Sequence, residues 1–224
     1  RLVGSEMCIR DRLKQSQISA MNTLNSSFQT QVDSAIRNLD AVSVNINYSN
    51  QSKTILDNSF NLNISSNMLS AMSDLFISLS GTELKADQVN LYDFSGYVLE
   101  AGISTIVKKT DGSKDEWIEV ARELEGKKVL TPPYCTREYT KTATYDQWFI
   151  SLYRSFNNQY KRGVGVIETA KQCKSVFKSI ITYKKKNHED AASIYVFDSN
   201  GDLIYPYDIS QEYKAALQPY YELT

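Results

Sequence analysis

Two short hairpin signatures constrain the fold of this chain more than any other feature. The first reads Val-Asn-Leu-Tyr-Asp-Phe-Ser-Gly-Tyr-Val-Leu at residues 89–99, and the second reads Ser-Ile-Tyr-Val-Phe-Asp-Ser-Asn-Gly-Asp-Leu-Ile-Tyr at residues 193–205. In each, a β-branched and aromatic run leads into a turn that contains Asp and Gly, and a second apolar run comes after it. Asp can hydrogen-bond its own backbone and Gly supplies positive φ, so both segments predict β-hairpins. Their recurrence, with helices between them, indicates two copies of one small α+β unit.

The sequence at each end of the chain differs from what a complete domain would carry. Only 23 residues come after Gly201, which is too few to complete a second unit. The first twelve residues differ in character from the rest of the chain and resemble a translated sequencing-library adaptor, with a natural charged juxtamembrane segment as the alternative. We therefore expect an adaptor artefact at 1–12, a long helix at 13–60, a complete unit with a connecting helix at 61–186 and a truncated second unit at 187–224.

The N-terminal region predicts one long helix. Residues 13–50 contain neither Pro nor Gly. Apolar residues recur there in steps of three and four, at Leu24, Phe28, Val32, Ala35, Leu39, Val42 and Ile46. This narrow stripe is close to a coiled-coil seam. We expect a helix longer than thirty residues that packs against a partner along its length.

The middle of the chain predicts an antiparallel sheet covered by helices. A helix that carries Met68, Met72, Leu75 and Leu79 ends at Gly81, and a short amphipathic helix is expected at 115–124. After the first hairpin, strands are expected at 127–131, 148–156 and 163–169, and helices at 170–186 and 211–217. The fold class is therefore α+β, with a five-stranded antiparallel sheet whose faces are covered by the N-terminal helices and by the helix of Trp117.

Composition excludes several classes of function. The 224 residues are 42% apolar with a net charge of −1, so the chain can bury a core and has no overall attraction for nucleic acid. Its fifteen tyrosines suit either a polar ligand pocket or exposed strands. Apart from Cys8, the chain has only Cys135, Cys173 and one histidine, His188, so no zinc site is expected. The two cysteines form either a disulfide or two isolated thiols.

The sequence contains no constellation typical of an enzyme. It has no Gly-rich phosphate loop and no nucleophile paired with a histidine, so we expect neither a catalytic activity nor a cofactor. Asp115 and Glu116 are adjacent carboxylates, but neighbouring residues on a helix point about 100° apart and cannot share one substrate bond.

Five short motifs occur one after another in a specific order and spacing. They are Leu-Tyr-Asp-Phe-Ser-Gly at 91–96, Asp-Glu-Trp at 115–117, Leu-Thr-Pro-Pro-Tyr at 130–134, Phe-Ile-Ser-Leu-Tyr-Arg at 149–154 and Gly-Val-Gly-Val-Ile-Glu at 163–168. Together, over residues 21–207, they resemble the double Cache domain, the extracytoplasmic sensor of bacterial receptors, and most closely that of YesM-type histidine kinases. The resemblance implies two PAS-like units and a homodimer. It also implies transmembrane helices outside this chain, and a kinase output or, alternatively, a chemotaxis transducer.

The resemblance also implies a cavity for a small polar ligand between the sheet and the Trp117 helix. The candidate ligand-binding residues are Trp117, Tyr134, Tyr92, Tyr153 and Arg154. Trp117 is either a stacking lid or a core anchor. Strand alternation places Arg154 on one face with Trp148, Ile150 and Leu152. There it either lines the cavity rim or forms an ion pair with Glu168.

One departure from the family bears on the ligand. Double Cache domains that bind amino acids carry an Arg two residues before the pocket Trp, and Asp115 stands at that position here. Without an Arg to clamp a carboxylate, an amino acid is not favoured. The carbohydrate role of YesM-type systems implies a saccharide instead. The remaining alternative is a ligand-free module that dimerises through its long helix.

Overall fold

The N-terminal part of the molecule is helical. A computed structural model describes residues 3–57, 66–81, 84–94, 96–103, 106–109, 116–136, 147–157, 163–187 and 193–223. The first three helices are α1 (Val3–Tyr48), α2 (Asn50–Asp57) and α3 (Ser66–Ser80). With 46 residues, α1 confirms the prediction of a helix longer than thirty residues. Helix α3 ends, as predicted, at Gly81, which has a φ of 70°.

A single antiparallel sheet forms the centre of the molecule. Its strands are β1 (Gln88–Asp93), β2 (Tyr97–Gly102), β3 (Val107–Lys109), β4 (Lys128–Leu130), β5 (Tyr134–Thr136), β6 (Gln147–Asn157) and β7 (Gly163–Gln172). Their order is β3-β2-β1-β7-β6-β4, and β5 also pairs with β6. The five predicted strands are confirmed, in all-antiparallel pairing. The short strands β3 and β5 were not predicted.

Both predicted hairpins form, with the turn chemistry that their sequences indicate. In the first, Asp93 Oδ1 accepts a hydrogen bond from the Tyr97 amide at 2.8 Å, and Gly96 has a φ of 93°. The second joins β8 (Val196–Phe197) to β9 (Leu203–Tyr205). Asp198 Oδ1 accepts hydrogen bonds from two amide groups of that turn. The short helix α7 (Gln211–Leu217) comes next, with the predicted bounds.

The apolar stripe of α1 packs against the sheet of its own domain. Two buried clusters contain it: one joins Leu39, Val42 and Ile46 to the middle of the sheet, and the other joins Phe28 and Val32 to β6 and the helices after β7. A partner along the length of this helix was expected, and the sheet is that partner. The stripe that resembled a coiled-coil seam forms the core.

Helix α4 (Glu116–Glu123) covers the opposite face of the sheet. Its buried residues Ile118 and Ala121 pack against Val166, Tyr92 and Tyr153. The prediction that helices cover both faces is confirmed. The turn after α4 contains Glu125 and Gly126, with φ values of 49° and 92°, and leads directly into β4.

The helix predicted at 170–186 begins later and is interrupted. Strand β7 continues to Gln172 because Ala170 is still paired with β1 and β6. The helix then forms two pieces, α5 (Cys173–Val176) and α6 (Lys178–Asn187), separated at Phe177. Phe177 is fully buried and its ring centroid lies 5.0 Å from that of Tyr205, so it packs the second hairpin onto the domain.

The two candidate disulfide cysteines are not joined. Cys173 is buried at the start of α5 and Cys135 is exposed on β5. Burial raises the pKa of the Cys173 thiol far above its ordinary value. Two residues interpreted from the sequence, Asp115 and His188, lie outside the described residues. Among the described helices, none is both long enough and apolar enough to cross a bilayer.

Candidate functional site

The face of the sheet that α4 covers carries a row of buried polar residues. Strand register places Glu100, Asn90, Glu168 and Tyr153 side by side on β2, β1, β7 and β6. Glu168 and Asn90 are completely buried, and Glu100 is 2% exposed. Burying a carboxylate is costly unless hydrogen bonds satisfy its oxygens. Two carboxylates in one buried row are costly to bury, and they indicate a site built for polar contacts.

Glu168 is the centre of this cluster. Its Oε2 accepts hydrogen bonds from the Tyr92 hydroxyl at 2.7 Å and from Asn90 Nδ2 at 2.8 Å. Its Oε1 accepts hydrogen bonds from Ser151 Oγ at 2.6 Å and from the Tyr134 hydroxyl at 3.1 Å. Four neutral donors from β1, β5 and β6 therefore converge on one buried carboxylate. A carboxylate that is held in this way is a fixed acceptor for polar hydrogens.

The hydrogen-bond network extends beyond the carboxylate on both sides. Gln88 Nε2 donates to Asn90 Oδ1 at 2.9 Å, which fixes the orientation of the Asn90 amide. On the other side, the Tyr134 hydroxyl and Ser151 Oγ lie 2.7 Å apart. The cluster around Glu168 thus joins amide, hydroxyl and carboxylate groups in one connected hydrogen-bond network.

Three tyrosines belong to the cluster around Glu168. The rings of Tyr92 and Tyr153 are stacked with centroids 6.4 Å apart, and both pack against α4. Tyr134 lies on β5, and its ring packs against that of Phe149 on β6, with centroids 6.5 Å apart. Burial, followed by the negative charge of Glu168, raises the pKa of Tyr92 and of Tyr153 well above the ordinary value of 10. Both phenols therefore stay protonated at neutral pH and remain donors.

The structure brings together three of the five predicted site residues. Tyr92, Tyr134 and Tyr153 surround Glu168, and Trp117 is half-buried on α4 next to the buried Ile118. Glu168 itself was anticipated only as a partner for Arg154, and Asn90 and Ser151 were missed. A charged residue in the middle of the apolar run 163–170 was the signal available in the sequence.

Arg154 lies on the other face of the sheet, which corrects both roles expected for it. Its guanidinium contacts Asp40 and Ser43 of α1 and not Glu168. The face that it shares with Ile150 and Leu152 is the one that α1 covers. Alternation was therefore assigned correctly, but the apolar face of β6 packs against the helix and the opposite face carries the site.

Two other arrangements do not form comparable sites. An open groove lies along α1, and its lining residues all belong to that one helix: Gln15, Ile18, Ser19, Asn22, Thr23 and Ser26. A groove on a single exposed helix encloses nothing. Among the residues that the structure describes, no group of His, Cys, Asp and Glu side chains is arranged to hold a metal ion.

Comparison with solved structures identifies the fold as that of sensory domains. The ligand-binding domain of the Pseudomonas aeruginosa amino-acid chemoreceptor PctC, in complex with GABA, matches with a TM-score of 0.52 and 10% identity over 84% of this chain and 73% of that one. The ligand-binding domain of the Pseudomonas fluorescens chemoreceptor CtaA, in complex with L-serine, matches with a TM-score of 0.50 and 16% identity over 86% and 74%.

A third match belongs to another kind of protein. A domain from Vibrio parahaemolyticus, described as part of a sensory box/GGDEF family protein, has a TM-score of 0.57 and 12% identity over 88% of this chain and 72% of that one. No family model matches the sequence, and no curated protein does. At these identities the comparisons establish the fold alone. The chain has the PAS-like fold that its resemblance to double Cache domains implied.

Proposed function

We propose that this chain is the extracytoplasmic ligand-sensing domain of a bacterial transmembrane receptor, and that it binds a small polar ligand on the α4 side of its sheet. The Glu168 cluster is the observation that carries this proposal. A buried carboxylate, two amides and several hydroxyls on one sheet face exceed what packing requires, and they are ligand-orienting groups of the usual kind. The domain acts as a binding module and not as an enzyme.

The chemistry of the cluster favours a ligand rich in hydrogen-bond donors. The oxygens of Glu168 and Asn90 accept hydrogen bonds from protein donors here, and a ligand hydroxyl or ammonium group can take the place of one of these donors. The rings of Tyr92 and Tyr134 offer flat apolar faces beside the carboxylate, and Trp117 lies half-buried on α4, the helix that covers this face. Acceptors beside aromatic faces suit a saccharide, which we propose as the ligand. Amines are the second class, since an ammonium group also pairs with a carboxylate.

The output module of the receptor is a separate question. The resemblance to YesM-type sensors favours a histidine kinase, and the matched chemoreceptor domains favour a chemotaxis transducer. The match to a domain of a sensory box/GGDEF family protein indicates that this fold is not confined to chemoreceptors. We propose the histidine kinase, because its resemblance covers specific motifs of this chain. The sequence downstream of Thr224 in the parent gene decides between them.

We also propose that α1 forms a homodimer contact near its N-terminal end. Every described side chain from Lys14 to Ser27 is exposed except that of Leu24, which is half-buried. Ile18 is 61% exposed and Met21 is 41% exposed. A helix of this length with apolar residues on its free part is suited to pairing with the same helix of a second copy.

A ligand screen tests the proposed binding function. The melting temperature of the purified chain is measured with monosaccharides, disaccharides, polyols, GABA and L-serine, each at millimolar concentration. A compound present at a hundred times its Kd stabilises a protein by about 2.7 kcal/mol, which raises the melting temperature by several degrees. Calorimetric titration then measures the affinity for each compound that gives a shift.

Two variants connect any binding to the proposed site. Glu168→Gln keeps the shape of the side chain but removes the carboxylate, and Trp117→Ala removes the aromatic face on α4. Each is expected to weaken binding at least tenfold. Tyr213→Phe, on an exposed side chain of α7, is the matched control. Binding that both site variants retain would place the ligand elsewhere. If no saccharide, polyol or amine bound, the proposed ligand classes would be wrong.

A further inference from the structure

Arg154 joins three separate elements at one point. Its Nη2 lies 2.5 Å from Asp40 Oδ1 on α1, and its Nε donates to Ser43 Oγ at 3.1 Å. Its Nη1 donates to the carbonyl oxygen of Gly126, in the turn between α4 and β4, at 2.5 Å. The side chain is only 13% exposed. One rigid guanidinium therefore connects β6 to α1 and to the end of the helix that covers the candidate site.

A second contact strengthens the hold on α1. Lys128, which is in register with Arg154 on the neighbouring strand, pairs with the other oxygen of Asp40 at 2.5 Å. Thr169 on β7 donates to the backbone carbonyl of Leu39 at 3.2 Å. Leu39 and Asp40, which are consecutive residues of α1, are thus both held by polar contacts to the sheet.

These contacts are adjacent in sequence to the candidate site. Tyr153 and Glu168 are cross-strand partners on the α4 side of β6 and β7. The next residue on each strand, Arg154 and Thr169, faces α1, because successive side chains of a strand point to opposite faces. A displacement of the strands or of the α4–β4 turn therefore changes the positions of the groups that hold Leu39 and Asp40.

We infer that Arg154 is a coupling residue that links the position of α4 and its turn to the position of α1. The inference rests on the proposed sensing function, since it describes how a change at the site reaches the helix expected to lead to the membrane. The three acceptors lie on two elements, α1 and the turn after α4, and a planar guanidinium on β6 meets all three only in one relative arrangement of those elements. A ligand that favours another position of α4 shifts this arrangement by its difference in affinity for the two states.

The alternative is a local ion pair that only adds stability. The two roles differ in what happens at a distance from a substitution. If Arg154 couples the elements, removing the charge of Asp40 on α1 loosens the turn after α4. If Arg154 only stabilises, the same change loosens α1, or weakens the whole domain uniformly.

Hydrogen–deuterium exchange of the ligand-free chain separates these roles, so the test does not depend on finding a ligand. The reporters are the amides of Leu124, Glu125 and Lys127. The first two donate to carbonyl groups of α4 and the third donates to the carbonyl of Leu124 in the turn. The amides of β1 serve as the internal reference for global unfolding. Asp40→Asn is expected to raise exchange in the turn at least threefold more than in β1.

A second variant and a matched control complete the design. Arg154→Lys keeps one charge for Asp40 but cannot also reach the Gly126 carbonyl, so it is expected to loosen the turn while α1 keeps its protection. Asp87→Asn removes a carboxylate that pairs with Lys171 at 3.5 Å and accepts a hydrogen bond from the Gln172 amide at 2.8 Å, away from α4, and it is expected to leave the turn unchanged. The inference is overturned if neither Asp40→Asn nor Arg154→Lys alters the turn more than β1. It is also overturned if Asp87→Asn alters the turn equally. None of these outcomes bears on whether Glu168 binds a ligand.

Discussion

The hydroxyl group of Tyr92 donates a 2.7 Å hydrogen bond to the carboxylate of Glu168, although the two residues are diagonal and not direct neighbours across β1 and β7. The direct partner of Glu168 is Asn90, which donates to the same oxygen. One buried oxygen therefore receives two donors from a single strand. This concentration of donors at one point of the sheet is the central feature of the candidate site.

Removing the Tyr92 hydroxyl is expected to destabilise the domain measurably. Tyr92→Phe takes one donor from a buried carboxylate, and loss of a hydrogen bond to a charged group costs about 1.5–3 kcal/mol. The free energy of unfolding in urea measures the effect. Tyr213→Phe, at a half-exposed position, is the control and is expected to change it by less than about 0.5 kcal/mol. Equal effects of the two variants would contradict the role given to the Tyr92 hydroxyl.

The buried phenols are also expected to limit stability in alkali. The pKa values of Tyr92 and Tyr153 are raised in the folded protein, first by burial and then by the charge of Glu168. The unfolded chain releases these protons near pH 10, whereas the folded chain retains them. The contribution of these two phenols to the free energy of unfolding is therefore fully present below pH 10 and is lost as the pH rises above it.

Absorbance at 295 nm reports the ionisation of these phenols directly. The Tyr92 and Tyr153 phenols should ionise only as the domain unfolds. In each of the variants Tyr92→Phe and Tyr153→Phe, the number of phenols that ionise only on unfolding should fall by one. If the folded protein ionised all its tyrosines in one transition near pH 10, the buried environment of these two would be wrong.

The carboxyl group of Asp40 gives a prediction at the acid end. Burial alone would raise its pKa, but the hydrogen bonds and charges of Lys128 and Arg154 outweigh burial and hold the pKa below its ordinary value of 3.8. A lowered pKa contributes stability that is present above pH 3.8 and is lost as the pH falls through the folded-state value. The wild type should exceed Asp40→Asn in free energy of unfolding by about 1–2 kcal/mol at pH 7. That difference should shrink below about pH 4. A difference that stayed constant from pH 7 to pH 3 would show that the Asp40 charge contributes nothing.

Much of the fold could be predicted from patterns that are local in the sequence. The turn residues Asp93 and Asp198 accept the hydrogen bonds that their hairpins require, and the stripe from Phe28 to Ile46 is the buried face of α1. The late start of the connecting helix was not predictable, because Ala170 is held in β7 by pairing with strands distant in the sequence.

The candidate site was less accessible to sequence analysis for the same reason. Which residues of β1, β6 and β7 stand side by side depends on strand register, and a shift of one residue moves every side chain to the other face. The tyrosines were found from their residue type. The cluster around Glu168 needed the pairing of Asn90 with Glu168 and of Glu168 with Tyr153, which no local pattern contains. Arg154 was placed with the correct neighbours, but the partner on that face, Asp40, lies on a helix more than a hundred residues earlier.

The exposed part of α1 gives a prediction about assembly. If Ile18 and Met21 form the proposed homodimer contact, Ile18→Lys introduces like charges into that contact and removes apolar area from it. The molar mass from light scattering should fall from dimer to monomer at the same protein concentration, with unchanged circular dichroism. Lys14→Ala, on the same exposed stretch, is the control and should leave the mass unchanged. A wild-type chain that is monomeric at high micromolar concentration would rule out a stable dimer of this chain.

The second hairpin is expected to be the less stable part of the molecule. Strands β8 and β9 form a two-stranded sheet, whereas β1 and β7 each pair on both sides within the large sheet. A two-stranded hairpin is marginal in water, and here the contact of Tyr205 with Phe177 helps to hold it on the domain. Amides of residues 196–205 should therefore exchange faster than those of residues 88–93 and 163–172. Phe177→Leu should widen that gap, because it weakens the anchor and leaves the pairing within the large sheet intact. Equal protection of the hairpin and the large sheet would show that the second unit folds as firmly as the first, contrary to the expectation that it is incomplete.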